Sequence, residues 1–183
     1  MTNWLITPHV PAELDEIVAL VNSAYRGQSA KVGWAHESDY IDGQRTSVAD
    51  LKADLAGDPA PDLLVLRRAA GSPILACVLI ERIVGAGGGV TGYIGMLTVS
   101  PELQDSGVGR ALLEAAERHA QAAGATRARM TVVSIRDTLI AWYERRGYHQ
   151  TGERRPFPYG DERFGKPRVA GLEFVVLEKG LGN

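Results

Sequence analysis

The chain has 183 residues, 45% of them apolar and 23% charged, and a formal net charge of −2. That length supports one domain with its own hydrophobic core. The near-balanced charge excludes the global basic field that would draw nucleic acid or an anionic membrane. The single cysteine, Cys77, excludes an internal disulfide framework and a multi-cysteine zinc site, and its apolar surroundings at residues 74–80 make it a buried structural thiol. Residues 1–10 lack a cationic start followed by an apolar stretch, and no run of about 18 apolar residues occurs, so neither a secretory signal nor a membrane span is expected. The expected location is cytoplasmic, and the expected organisation is a single domain over residues 1–183.

A short strand is predicted over residues 3–6. Pro11 opens a helix whose apolar residues Leu14, Ile17, Val18, Val21 and Tyr25 recur at helical spacing, with Gly27 as its stop. Residues 26–46 are polar and aromatic without a clear period. Ser47 then caps a short helix reaching residue 56, with Asp50 at the capping-box position. Strands follow at 63–66 and 74–84, joined as a hairpin through Gly71, Ser72 and Pro73. A glycine-rich turn at 85–89 leads into a strand over 91–99. Residues 107–123 form the strongest helix, where Val108, Ala111, Leu112, Ala115 and His119 make one stripe and Gly124 closes the element. A strand at 126–133, a helix at 138–146 ended by Gly147, and strands at 148–153 and 169–177 complete the chain, with a loop at 156–168 between the last two. The order β-α-α-β-β-β-α-β-α-β-β, hairpins first and a βαβ crossover later, predicts a mixed α/β sheet.

The stretch 93–112 carries the chemistry. An apolar strand ends at Pro101, a short polar loop follows, and Gly107 and Gly109 open an amphipathic helix. The first turn of a helix has N–H groups without internal partners, and its dipole favours an anion. Glycines there let that anion approach the backbone, although they also allow close packing of helix on sheet. With no metal-ligand cluster nearby, amides rather than Mg²⁺ would hold a diphosphate. A Walker loop would end Gly-Lys-Ser/Thr, whereas Arg110 and Ala111 follow Gly109. A dinucleotide fingerprint would place its glycines at the strand end and carry a third, whereas residues 101–105 intervene and Leu112 stands in the third position.

Leu97-Thr98-Val99-Ser100-Pro101, followed by Gln104-Asp105-Ser106-Gly107-Val108-Gly109, resembles the strand ending and Gln/Arg-x-x-Gly-x-Gly/Ala signature of the GNAT acyltransferase superfamily. Ile140-Ala141-Trp142-Tyr143-Glu144-Arg145-Arg146-Gly147-Tyr148 resembles the family's second block, in the usual order and separation, and the similarity spans residues 73–153. The resemblance implies a mostly antiparallel splayed sheet flanked by helices, whose fourth and fifth strands part to admit the pantetheine arm of acetyl-CoA. It implies that Leu97, Thr98 and Val99 line that arm, with the backbone of Leu97 and Val99 pairing to it. Gln104, Asp105, Ser106, Gly107, Val108, Gly109 and Arg110 would hold the pyrophosphate, and Ser134 and Arg136 would add polar contacts. Tyr143 would protonate the departing sulfur, and an amide near Leu97 would face the thioester oxygen. Asp105 and Ser106 stand where relatives often carry cations, Arg136 stands where they often carry asparagine, and the strand 91–99 has no acid, so the general base is open.

The segment after the first helix lines the acceptor cleft in relatives, which points to Trp34, and to Glu37 and Asp39 as residues that would orient or deprotonate the acceptor. Tyr159, beside Asp161, Glu162 and Arg163, would form the opposite wall. The mixed charge of 27–45 favours a polar, zwitterionic acceptor. Arg145 and Arg146 complement the dipole at a helix C-terminus. His9, His36, His119 and His149 show no metal-ligand spacing, and no metal is expected. The implied activity is acetyl transfer to the amine of a small molecule. A CoA-binding or sensor module without catalysis is the second reading and a nucleotide-binding regulatory domain the third. Acyl length and oligomeric state are open, a homodimer included.

Overall fold

The computed structural model describes residues 4–182. In chain order it contains β1 (Leu5–Pro8), α1 (Leu14–Tyr25), α2 (Gly27–Ala30), β2 (Ile41–Asp42), α3 (Val48–Leu55), β3 (Asp62–Arg67), β4 (Ala76–Val84) and β5 (Val90–Val99). There follow α4 (Val108–Ala122), β6 (Arg127–Val133), α5 (Asp137–Glu144), β7 (His149–Pro156), β8 (Lys166–Pro167) and β9 (Glu173–Gly180). Seven strands form one sheet in the order β1-β3-β4-β5-β6-β9-β7, and only β5 and β6 run parallel. Among the described residues no helix is long and apolar enough to cross a membrane.

Alternation along the central strands supplies two cores. Leu64, Leu66, Ala76, Val78 and Ile80 face α4 and α5, while Leu63, Val65, Cys77 and Leu79 face α1 and α3. Strands covered on both faces lose the polar half of their alternation, which is why 63–66 and 74–80 are continuously apolar. Cys77 is fully buried, and burial pushes its thiol up to about 12, as befits a structural residue.

The crossover from β5 through α4 to β6 positions the site. A Cβ at Gly92 would lie 2.5 Å from the Ala120 methyl, so the missing side chain lets α4 press onto β5. The parallel ladder is short: Thr91, Gly92 and Tyr93 pair with Arg127, Ala128 and Arg129, and no pair follows. Beyond Tyr93 the two strands part. At the same level β5 holds one residue more than β4, between the pairs Cys77↔Thr98 and Leu79↔Gly95, and Met96 takes a left-handed φ of 50°. Such a bulge kinks a strand and re-aims its backbone.

Several elements differ from the sequence expectation. The first strand is Leu5–Pro8, two residues later than expected, with Pro8 tolerated on an edge strand; Asn3 lies outside the described residues. The buried face of α4 runs through Val108, Leu112, Leu113, Ala116, Glu117 and Ala120, with Ala111, Ala115 and His119 on its flank. Glu117 accompanies the apolar residues because Tyr148 Oη and Lys179 Nζ donate to its carboxylate at 2.9 and 2.7 Å. Segment 26–46 contains α2 and β2, and β2 pairs with β8 in a two-stranded bridge. Two-residue strands show no period, so this bridge has no sequence signal. The last strand begins at Glu173 rather than 169.

Candidate active site

Two clefts meet where β5 and β6 part. The first, about 300 Å³, lies between Leu97, Thr98 and Val99 of β5, the head of α4, and Trp142 and Tyr143 of α5. The second, about 560 Å³, is walled by β4, β5 and β6, by Glu37, Arg45 and Thr46, and by Pro158 and Phe164. Tyr25, Leu97, Arg136, Leu139 and Tyr143 line both.

The head of α4 is built to receive an anion. Gly107 sits in the left-handed region with φ 86°, a conformation a side chain would strain, and no side chain caps the helix. Its first-turn amides therefore open onto the first cleft beside Asp105, Gly109 and Arg110. Asp105 also adopts positive φ, at 67°, tightening the loop. Ser106 Oγ donates to Leu103 O at 2.5 Å, within the loop itself, and Val108 is buried in the core beneath. Arg145 and Arg146 line the same cleft, joining Arg110. Arg146 lies 3.5 Å above the Trp142 ring and donates to its carbonyl at 2.6 Å. Arg110 is itself paired with Glu114 at 2.8 Å, so it is Arg145 and Arg146, with the amides of the helix head, that outweigh Asp105. Arg145 and Arg146 were expected only to complement a dipole, because a helix C-terminus explains two cations unless the neighbouring helix head is known.

Gln104 acts on the protein itself. Its Oε1 accepts from the Ala35 N–H at 2.9 Å and its Nε2 donates to Val99 O at 3.4 Å, tying residues 33–35 to the end of β5. This brings Trp34 against Trp142, centroids 6.5 Å apart, in the wall of the first cleft rather than the second. The Trp34 indole N–H is buried and, among the described residues, without a partner.

Tyr143 stands at the junction, 6% exposed, edge-on to Trp142 and Tyr148. Burial, reinforced by Tyr25, pushes its phenol well above the ordinary value, so it stays protonated through neutral pH. Tyr25 Oη donates to Leu97 O at 2.7 Å, gripping the bulged strand. Sequence reasoning placed Tyr25 only on an apolar helix stripe, since nothing local says that its hydroxyl reaches β5. Thr98 is buried, its hydroxyl donating to Met96 O at 2.9 Å across the same bulge.

Behind the junction lies a buried ion triad. Arg26 Nη1 contacts one Glu37 oxygen at 2.5 Å and Arg136 Nη1 the other at 3.1 Å, all three side chains less than 10% exposed. Arg136 also donates to Ala35 O at 2.7 Å and Arg26 to Phe164 O at 3.2 Å. Burial opposes ionisation of Glu37, but Arg136, Arg45 and Arg26 together hold its carboxyl below the ordinary 4.5. A carboxylate so well paired is a poor proton acceptor.

The second cleft contains two acids of the opposite kind. Glu81, on β4, is half-buried, and burial, then Asp54, raises its carboxyl. Asp54, on the exposed rim, is raised by burial and by Asp50. Neither was foreseen, because the acids weighed as bases were Glu37 and Asp39, and the strand 91–99 has none. Asp39 is exposed, 3.4 Å from Lys31, and lines neither cleft. Tyr159 Oη donates to Val169 O at 3.0 Å and accepts from the Leu172 N–H at 2.8 Å, also outside both clefts. Ser134 likewise lies outside them, its N–H donating to Glu173 O at 2.8 Å. Among the described residues no three His, Cys, Asp or Glu side chains gather as a metal site.

The sheet parts beside an uncapped, cation-flanked helix head, as the resemblance to acyl-CoA-dependent transferases implied. The family model described as Acetyltransferase (GNAT) family matches residues 29–148, and the chain belongs to that family, which uses acetyl-CoA. Its fold is similar to the ribosomal-protein-S18-alanine N-acetyltransferase from Escherichia coli (15% identity, TM-score 0.67, covering 99% of this chain and 96% of that one). It is also similar to a GNAT-family acetyltransferase from Streptococcus pneumoniae (20% identity, TM-score 0.65, 97% and 99% covered). A third similar structure is a NatC complex bound to Gag peptide and CoA (16% identity, TM-score 0.68, 98% and 99% covered). No curated protein sequence matched the chain.

Glu37→Gln leaves two buried guanidinium groups without their carboxylate, and we expect it to destabilise the fold by roughly 3–5 kcal/mol in a urea titration. The acid limb follows from the same pairing. With the folded-state value below the unfolded one, the contribution of Glu37 is complete above the unfolded carboxyl range and is lost as pH falls through the folded value. Part of the wild-type stability loss below about pH 4.5 should therefore be absent from Glu37→Gln.

Proposed function

We propose that this chain transfers the acetyl group of acetyl-CoA to the amine of a small-molecule acceptor by direct attack. The observation that supports this most is the meeting of the two clefts at Leu97 and Tyr143, one with an anion-binding head and the other with unpaired acids. The second cleft, about 560 Å³, falls in the size range of small-molecule sites.

The first cleft fits the coenzyme through the open amides at Gly107–Arg110, the three arginines flanking them, and the unpartnered indole N–H of Trp34. When bound, acetyl-CoA supplies an acyl carbon activated as a thioester. The amides of α4 with Arg110, Arg145 and Arg146 would hold its diphosphate. The re-aimed backbone of β5 would pair with the pantetheine arm, and an N–H near Leu97 would supply the donor for the thioester oxygen. One fixed donor of that kind is worth about 3 kcal/mol.

An acceptor amine has a pKa near 10 and arrives as an ammonium ion, so a proton must leave before attack. Glu81 accepts it, directly or through water, with Asp54 leading on to solvent. A raised carboxyl is a stronger base at neutral pH than an ordinary one. Tyr143, kept protonated by burial, is the group that would hydrogen-bond the departing sulfur and give it a proton.

Calorimetry should detect binding of CoA and acetyl-CoA to the wild-type protein, and no affinity for either would refute the reading. Tyr143→Phe should lower kcat roughly a hundredfold with little change in the KM for acetyl-CoA. Coenzyme binding with no turnover of any amine would select the sensor reading instead. Glu81 must be ionised to accept a proton, so wild-type kcat/KM should fall as pH drops through its raised value. Glu81→Gln should lower the plateau and flatten that limb.

A further inference from the structure

The charges facing the second cleft specify the acceptor more closely, on the footing of the acyl-transfer reading. They are Arg45, Arg136 and Arg155 against Glu37, Asp54 and Glu81. Arg136 is engaged by Glu37, and Arg155 Nε donates to Glu153 at 2.8 Å. Arg45 differs from both. Among the described residues its guanidinium makes no ion pair and no hydrogen bond, while its backbone is firmly held. Its N–H donates to Asn22 Oδ1 at 2.7 Å, and Asn22 also accepts from the Thr46 N–H at 3.2 Å and donates to Thr46 O at 2.9 Å. The side chain is half-buried, with its guanidinium carbon 5.6 Å from the centroid of the Tyr25 ring.

A guanidinium packed against an aromatic ring and left without a partner is a preorganised receptor for a planar anion. Arg45 adds to the field that keeps Glu37 ionised, but both Glu37 oxygens already hold arginines at 2.5 and 3.1 Å, so its guanidinium has no hydrogen-bond partner there. Its position suits an acceptor. Tyr25 carries Arg45 against its ring and touches Leu97 O with its hydroxyl, so a single tyrosine separates the cation from the point where the amine must react. The unpaired acids Asp54 and Glu81 share the cleft and favour an ammonium group. A molecule with one positive and one negative group leaves the balance of three cations and three acids unchanged. A polyamine would bring several charges against Arg45, Arg136 and Arg155, and a dianion would meet Glu37, Asp54 and Glu81.

We propose that the acceptor is an amino acid, an amine carrying a free carboxylate, and that Arg45 holds that carboxylate while the amine attacks.

The test compares the standard amino acids, β-alanine and γ-aminobutyrate with their amides and decarboxylated amines at saturating acetyl-CoA, reading release of free CoA thiol. At least one amino acid should show a kcat/KM about tenfold or more above its amide, the size expected of a charge-assisted hydrogen bond. Arg45→Gln should raise the KM for that amino acid and bring it within about threefold of its amide, and Arg45→Lys should restore part of the preference. Amides or carboxylate-free amines used as well as amino acids would overturn the proposal. So would an absence of turnover with every amino acid, or an equal loss on both substrate classes in Arg45→Gln. CoA calorimetry keeps the two readings apart: intact coenzyme binding with no carboxylate preference sinks only this inference, whereas absent binding sinks acyl transfer itself.

Discussion

The brevity of one parallel ladder governs the rest of the molecule. β5 and β6 hold each other through Thr91–Tyr93 and Arg127–Arg129, then separate. Backbone N–H and C=O groups left without a strand neighbour inside a protein need another partner. Here the bulge at Met96, the Tyr25 hydroxyl on Leu97 and the open first cleft all occur within the stretch of β5 that has lost its neighbour. Closing the ladder would remove both clefts together.

Electrostatics divides the opening into two ends of different character, although the chain as a whole carries only −2. The coenzyme end gathers Arg110, Arg145 and Arg146 around uncapped amides, so positive potential is local rather than global. At the other end, Glu37 joins Arg26 after α1 to Arg136 at the head of α5, and Arg26 reaches on to Phe164 in the opposite wall. With the β2–β8 bridge, these contacts tie together three segments far apart in sequence. The arginines that keep Glu37 ionised make it an unsuitable base, whereas Glu81 and Asp54, which make no ion pair among the described residues and whose carboxyls are raised, are the groups able to exchange a proton.

What the sequence determined by itself was the periodic and the contiguous. Hydrophobic spacing located the main helices and strands, because burial on a face repeats along the chain. The glycines at 107 and 109 and the block 140–148 marked the coenzyme end, because a helix head and its preceding strand are local structures. Tertiary structure alone decided which side chains converge across the opening. Tyr25, Arg45, Glu81 and Arg146 come from four separate elements, and each has an adequate local explanation as a stripe residue, a loop cation, a strand acid or a dipole partner. Gln104 and Arg136 belong to the right motifs, yet their polar groups serve loop 33–37, a contact set by the fold and not by spacing. Asp39 and Tyr159 lie on the expected segments, but the path of the backbone turns them away from both clefts. Periodicity reports which way a residue faces within its own element, whereas a site depends on where that element stands relative to the others.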